Sequence, residues 1–194
     1  MEDGEVTGGV LGCPNMPSDT IPRGATEIPT SSPGCIFIAY RGCGTTVGAL
    51  DAREPLHEGV KVTTERVVDS SEATYMESWG DSIVADHGFT NSLSAAMGMT
   101  SPPVRIDSMA KYGALARGDT NMYLRFPPAS YREKVWDHAA GAIVVQEAGG
   151  VITDGVGNPL DFSNGRFLDI DIGIVATSTP ALHATLLETI AKVR

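Results

Sequence analysis

Residues 135–154 read VWDHAAGAIVVQEAGGVITD, and they combine a helix pattern with a strand pattern that follows it directly. Residues 135–148 predict the clearest helix of the chain. A glycine pair at 149 and 150 marks its end, since glycine commonly occupies the position after the last helical residue. Residues 151–153 predict a strand, so the two kinds of element alternate here.

Asp137 lies near the start of this predicted helix, where it allows two interpretations. A carboxylate at a helix start caps exposed N–H groups and meets the positive end of the helix dipole. The same carboxylate could instead bind a divalent cation with a phosphate nearby. His138, as a lone histidine, is interpreted as a structural partner rather than a ligand.

Two further segments carry candidate anion-binding residues. Ser108 and Lys111 share one face of a predicted helix, where a hydroxyl and an ammonium group suit an anion. Arg125 lies inside an alternating strand pattern, where a buried guanidinium would require a phosphate or carboxylate partner. The alternatives are a helix cap at Asp107 with a solvated lysine, and an arginine that points outward.

The remaining elements extend in both directions from these segments. We predict strands over 9–13, 35–40, 45–50, 60–63, 104–106, 121–126 and 170–177, and helices over 81–97, 108–117 and 180–193. Residues 1–80 are mainly strand and loop, and residues 81–194 form an α/β portion. We therefore predict a single layered domain over 1–194, of mixed α/β or α+β class.

Composition excludes several functions for this chain of 194 residues. Its formal net charge is −10, which is unfavourable for binding a nucleic acid polymer. No apolar run approaches the length that spans a membrane, so we expect no membrane partner. Three cysteines without zinc-site spacing favour a reduced, cytoplasmic compartment.

Several segments resemble the C-terminal part of one enzyme superfamily. Residues 136–141 (WDHAAG) and 147–154 (EAGGVITD) are similar to the signature of the inositol-monophosphatase superfamily. Residues 107–112 (DSMAKY), 123–127 (YLRFP) and 159–166 (PLDFSNGR) resemble its 3′(2′),5′-bisphosphate nucleotidase branch. Residues 9–15 (GVLGCPN) resemble an interior strand of the same branch.

The resemblance implies a fold, an activity and a set of site residues. It implies a layered αβαβα sandwich and a Mg²⁺-dependent phosphatase that removes the 3′-phosphate of 3′-phosphoadenosine 5′-phosphate to give AMP. Asp137 would be a Mg²⁺ ligand, and Ser108, Lys111, Arg125 and Asp137 would bind the small nucleotide bisphosphate. Lysine and arginine at these positions suit a doubly phosphorylated substrate.

The departures from the family pattern lead to further expectations. The family's upstream glutamate, its Asp-Pro-Ile-Asp-Gly-Thr loop and its N-terminal helical half have no counterpart in this sequence, and residues 80–82 (GDS) replace a histidine-and-serine segment. We therefore expect a truncated chain without identifiable catalytic residues, with weak or no activity. Two alternatives remain, an inositol phosphate phosphatase and a non-catalytic nucleotide-binding fragment. Surfaces that the missing half would cover predict self-association.

Overall fold

A computed structural model of the chain describes residues 4–22, 25, 34–51, 59–66, 69–79 and 86–194. These residues form two sheets and four α-helices. Within the described residues, no helix is long and apolar enough to cross a membrane.

The first sheet is antiparallel and contains four strands in the order β1-β2-β3-β4. The strands are β1 (Gly8–Cys13), β2 (Cys35–Tyr40), β3 (Gly44–Ala49) and β4 (Val60–Val62). Alternate side chains of β1 to β3 are buried, which is typical of a sheet that covers a core with one face.

The second sheet is mixed and contains five strands in the order β6-β5-β7-β9-β8. Its strands are β5 (Tyr75–Glu77), β6 (Val104–Arg105), β7 (Met122–Arg125), β8 (Val151–Asp154) and β9 (Ile174–Thr177). Strand β5 runs parallel to β6 and β7, whereas β9 is antiparallel to β7 and β8. Every residue of β5 and β9 is buried, because helices cover both faces of this sheet.

The helices complete four layers. Helices α2 (Ala110–Arg117) and α3 (Ala139–Glu147) share one apolar core with the first sheet and one face of the second. Helices α1 (His87–Ala96) and α4 (Pro180–Val193) pack on the opposite face of the second sheet. The order sheet, helices, sheet, helices confirms the predicted layered α/β class.

The predicted helix over 135–148 is shorter than expected. A 3₁₀ turn covers Val135–Asp137, and α3 begins only at Ala139. Between them His138 has a φ of −135° and precedes α3 without a side-chain cap. The interpretation of Asp137 as a helix cap is therefore wrong. The His138 ring is buried here between two hydrogen-bonding partners, Tyr112 and Glu133.

Helix α2 also begins later than predicted. It starts at Ala110, after Met109, and Asp107 does not cap it. The Asp107 carboxylate instead accepts a hydrogen bond from the backbone N–H of Trp79, at 3.1 Å. Ser108, which lies between Asp107 and Met109 in the sequence, adopts a positive φ of 71°, which a helix does not allow.

Two other predicted elements differ at their starts. The strand predicted over 170–177 begins at Ile174, because Ile172 and Gly173 have φ values of 67° and 130° that interrupt extended backbone. Helix α1 begins at His87 after an Asp86 cap, and residues 81–85 of the predicted helix lie outside the described residues. The GDS segment at 80–82 lies there too. The other predicted elements are confirmed within one residue at each end.

Candidate functional site

Helices α2 and α3 both begin at the edge of one cavity. Ser108 and Met109 precede α2, Asp137 precedes α3, and Arg125 ends β7. These residues, with Tyr112 and Tyr123, line a cavity of about 170 Å³. Because a helix start exposes N–H groups and carries a positive partial charge, both helices favour an anion at this end.

The structure thus brings together three of the four predicted site residues, Ser108, Arg125 and Asp137. The fourth, Lys111, lies beside them, with its Nζ atom 5.3 Å from the centroid of the Tyr123 ring. Their roles in binding remain predictions.

Lys111 is almost fully buried, with 1% of its surface exposed. Its ammonium group donates to the backbone oxygen of Ile106 at 2.8 Å and to Ser78 Oγ at 3.2 Å. Burial, together with the nearby Arg125 charge, lowers the pKa of Lys111 to about 7, although Asp107 opposes the shift. The interpretation of Lys111 as a solvated surface lysine is therefore wrong.

Arg125 has a carboxylate partner within the chain. Its Nε and Nη2 atoms donate to the two oxygens of Glu133, at 2.6 and 2.8 Å. Burial alone would raise the pKa of Glu133, but hydrogen bonds from His138 and Arg125 lower it to about 2. Glu133 is therefore ionised at neutral pH, and it compensates the Arg125 charge.

Glu133 also joins a buried chain of hydrogen bonds. His138 Nε2 lies 2.9 Å from Glu133 Oε2, and His138 Nδ1 lies 2.6 Å from the Tyr112 hydroxyl. Because burial outweighs the attraction of Glu133, the pKa of His138 is lowered. A neutral ring then donates from Nε2 to the carboxylate and accepts at Nδ1 from Tyr112.

Sequence reasoning missed Glu133 and Tyr112 as parts of this site. It proposed a phosphate or carboxylate partner for Arg125 without naming one, and it interpreted His138 only as a structural partner. A glutamate five residues before a lone histidine gave no spacing signal, because the intervening segment contains a 3₁₀ turn rather than a regular helix.

Asp137 is the acidic group of the cavity. Its carboxylate makes no hydrogen bond or ion pair with the described residues, whereas the backbone N–H is bound to the carbonyl of Lys134. Its oxygens are therefore available for a cation. Among the described residues, however, no three Asp, Glu, His or Cys side chains lie close enough together to hold a metal ion.

A second cavity of about 420 Å³ adjoins the first and shares Ser108 with it. Trp79 forms part of its wall with 48% of its surface exposed, and Met16 and Ile106 add apolar surface. Arg105 and Asp107 contribute polar groups. A flat aromatic side chain in the wall of such a cavity can stack on a nucleobase.

Comparisons with known proteins identify the family of this chain. The model of the inositol monophosphatase family matches residues 1–194. A 3′(2′),5′-bisphosphate nucleotidase of Oryza sativa is 46% identical over 187 residues, covering 96% of this chain and 51% of the relative. One from Dictyostelium discoideum is 39% identical over 195 residues, covering 99% and 54%. The chain therefore spans about half the length of these curated relatives.

Solved structures show the same fold at low sequence identity. An inositol monophosphatase from Anabaena matches with a TM-score of 0.55 and 19% identity, over 83% of this chain and 56% of that one. One from Zymomonas mobilis matches with a TM-score of 0.58 and 15% identity, over 81% and 53%.

Proposed function

Because this chain belongs to the inositol monophosphatase family, we propose that it forms the substrate-binding part of a Mg²⁺-dependent 3′(2′),5′-bisphosphate nucleotidase. The substrate would be 3′-phosphoadenosine 5′-phosphate, and hydrolysis of its 3′-phosphate would give AMP. The observation that carries this proposal is the shared cavity of Ser108, Arg125 and Asp137, with Lys111 beside it. The names of the curated relatives support the substrate class.

The adjoining cavity favours a nucleotide over an inositol phosphate. Trp79 offers an exposed aromatic face that a purine base can use, whereas the polyhydroxylated ring of inositol gains little from it. The shared Ser108 would place the phosphate and the nucleoside on either side of one residue. Inositol phosphate hydrolysis remains the second candidate, because the family model that matches the chain is that of the inositol monophosphatases.

The chain's own residues would bind and orient the phosphates. Glu133 offsets the charge of Arg125, so the remaining positive charge would come from the protonated form of Lys111 and from the starts of α2 and α3. Arg125 would supply directional hydrogen bonds to phosphate oxygens. These groups would hold the substrate while water adds to phosphorus and the bond to the 3′-oxygen breaks.

Enzymes of this family are generally metal-dependent, and we propose Mg²⁺ as the metal. Asp137 fits as one oxygen ligand, since its carboxylate is not bound by the described residues. A single carboxylate does not complete a Mg²⁺ site, and the described residues provide no group of three ligands. The lone ligand is why we expect weak or no turnover from this chain alone, and it favours a nucleotide-binding fragment as an alternative.

Phosphate release tests the proposed activity. We would compare 3′-phosphoadenosine 5′-phosphate with inositol 1,4-bisphosphate, with Mg²⁺ present and with Mg²⁺ chelated. We expect slow release from the nucleotide, dependent on Mg²⁺ and abolished by Asp137→Asn. Asp169→Asn changes an exposed carboxylate and serves as the control.

Three other outcomes of the phosphate-release experiment would change the proposal. Release that survives chelation or Asp137→Asn contradicts the metal-ligand role. Faster release from the inositol bisphosphate supports the second candidate. Nucleotide binding without any release supports a non-catalytic fragment.

A further inference from the structure

Arg125 is held by a carboxylate that solvent does not reach. Glu133 is fully buried, and both of its oxygens receive N–H groups from Arg125. This arrangement uses the Nε and Nη2 edge of the guanidinium group. Because the guanidinium is planar, fixing this edge also fixes the direction of the remaining nitrogen, Nη1.

The carboxylate is in turn held from its other side. His138 bonds to Glu133 Oε2, and Tyr112 bonds to His138, so the chain of contacts runs Tyr112, His138, Glu133, Arg125. Tyr112 and Arg125 both line the small cavity, whereas His138 and Glu133 lie behind it. This buried series of hydrogen bonds therefore begins at Tyr112 and ends at Arg125, and both residues line the candidate site.

We propose that Glu133 is a positioning residue, which, supported by His138 and Tyr112, orients Arg125 for the phosphate group of the ligand. The inference rests on the proposed function for the identity of that ligand. It deepens that function by assigning a role to a residue that itself does not face the cavity.

A comparison within the chain distinguishes positioning from simple stabilisation. Arg117 also pairs with a buried carboxylate, that of Asp119, through Nε and Nη2. There Nη1 donates to the backbone oxygens of Pro17 and Ser18, so the protein occupies the whole guanidinium group. In the described part of the chain, no carboxylate or backbone carbonyl accepts from Nη1 of Arg125.

Stability alone does not explain a buried ion pair at this place. Apolar residues of similar volume often replace such pairs without loss of stability. A pair that fixes one guanidinium edge and leaves another at a cavity wall has a clear use in binding. Tyr123, which also lines the cavity, interacts with Arg125 through its hydroxyl group.

Calorimetric titration with 3′-phosphoadenosine 5′-phosphate tests the proposal. We expect Glu133→Gln to weaken binding at least tenfold, because the amide cannot accept both N–H groups of Arg125 as the carboxylate does. Asp119→Asn is the matched control, since it breaks the other buried pair, and we expect less than a twofold change in Kd. Wild-type affinity in a folded Glu133→Gln variant would overturn the proposal.

Glu133→Asp provides a second variant that keeps the negative charge and is milder for folding. The aspartate side chain is one methylene shorter, so its carboxylate lies further from Arg125. We therefore expect this variant to bind 3′-phosphoadenosine 5′-phosphate at least threefold more weakly than the wild type does. Wild-type affinity in this variant would show that the position of the carboxylate does not matter, and it would also overturn the proposal.

A nuclear magnetic resonance measurement separates this inference from the proposed function. In the unliganded wild-type protein, we expect the Arg125 Nε–H to exchange slowly with solvent and the His138 proton to reside on Nε2. In Glu133→Asp, exchange at Arg125 should accelerate at least tenfold. Unchanged exchange would overturn positioning whether or not a nucleotide binds, whereas slow exchange without any nucleotide binding would contradict only the proposed function.

Discussion

Lys111 illustrates how burial gives one residue a pH response. Its ammonium group has two protein oxygens as partners but little solvent, and its pKa falls from 10.5 to about 7. The folded state therefore binds fewer protons than the unfolded state between these values. The contribution of Lys111 to stability consequently rises as the pH increases from about 7 towards 10.5.

The same pKa predicts how ligand affinity depends on pH. An anionic ligand prefers the protonated lysine, so we expect the Kd for 3′-phosphoadenosine 5′-phosphate to increase between pH 6.5 and 8.5, by up to about tenfold per pH unit. Calorimetry at several pH values measures this. Lys111→Gln is the control, because it keeps the titration of the ligand phosphates and removes that of the lysine. A wild-type profile that matches Lys111→Gln would contradict the assignment.

Tyr112 allows a test of the buried hydrogen-bond chain. Tyr112→Phe keeps the ring, which packs edge-on against Tyr123 at 4.8 Å, and removes the donor to His138 Nδ1. We expect a loss of about 1–3 kcal/mol in the free energy of unfolding, because a buried acceptor loses its partner. Denaturant titration measures the loss.

Tyr131→Phe is the matched control for this substitution. The Tyr131 hydroxyl accepts a hydrogen bond from Lys134 at 3.3 Å in a partly exposed position. We therefore expect the free energy of unfolding to change by no more than about 0.5 kcal/mol. Equal effects of the two substitutions would contradict a stabilising role for the Tyr112–His138 hydrogen bond.

At the scale of elements, local sequence signals located most helices and strands but misplaced several starts. Gly118 ends α2 with a φ of 85°, as a terminating glycine should. The starts of α2 and α3 were misplaced, because tertiary contacts of Asp107 and His138 decide them. The pairing of Arg125 with Glu133 likewise could not be predicted from the sequence, since the three-dimensional fold determines which carboxylate reaches an arginine in a strand.

The packing of α3 against α2 depends on a glycine. A Cβ atom on Gly141 would overlap the Tyr112 ring. We expect Gly141→Ala to destabilise the protein by about 1–3 kcal/mol, because the helices must separate or the ring must move. Thermal or denaturant unfolding measures the effect.

Gly48→Ala is a suitable control, since the nearest atom to its new Cβ would be 4.0 Å away. We expect this substitution to change the free energy of unfolding by about 0.5 kcal/mol or less. A Gly141→Ala variant as stable as Gly48→Ala would show that α2 and α3 have more space than the structure indicates.

At the scale of the whole molecule, the first sheet has one face without a covering layer among the described residues. Val10 and Tyr40 on this face are 53% and 59% exposed, and Ile36 and Ile38 are only partly buried. The chain also spans about half the length of its curated relatives. An apolar sheet face of this kind favours association with a second surface.

We therefore expect the isolated chain to self-associate as its concentration rises. Sedimentation velocity over a hundredfold concentration range measures this. The double variant Val10→Thr, Tyr40→Thr should shift association to higher concentration, since it removes apolar surface and retains residues suited to strands. A monomer at all concentrations would contradict the prediction.

The layered α/β fold was predictable from the sequence because alternating patterns and motifs extend over most of the chain. Three predicted site residues line one cavity because both helix starts and the end of β7 point to the same place. The orientation of Arg125 could not be predicted, since it depends on a glutamate, a histidine and a tyrosine from separate elements.

A calorimetric titration of the folded chain with 3′-phosphoadenosine 5′-phosphate tests most directly whether this cavity binds the phosphates of a nucleotide. We predict saturable binding by the wild type and at least tenfold weaker binding by Arg125→Ala. Absence of binding by the folded wild type, or equal affinity of the two proteins, would contradict the claim.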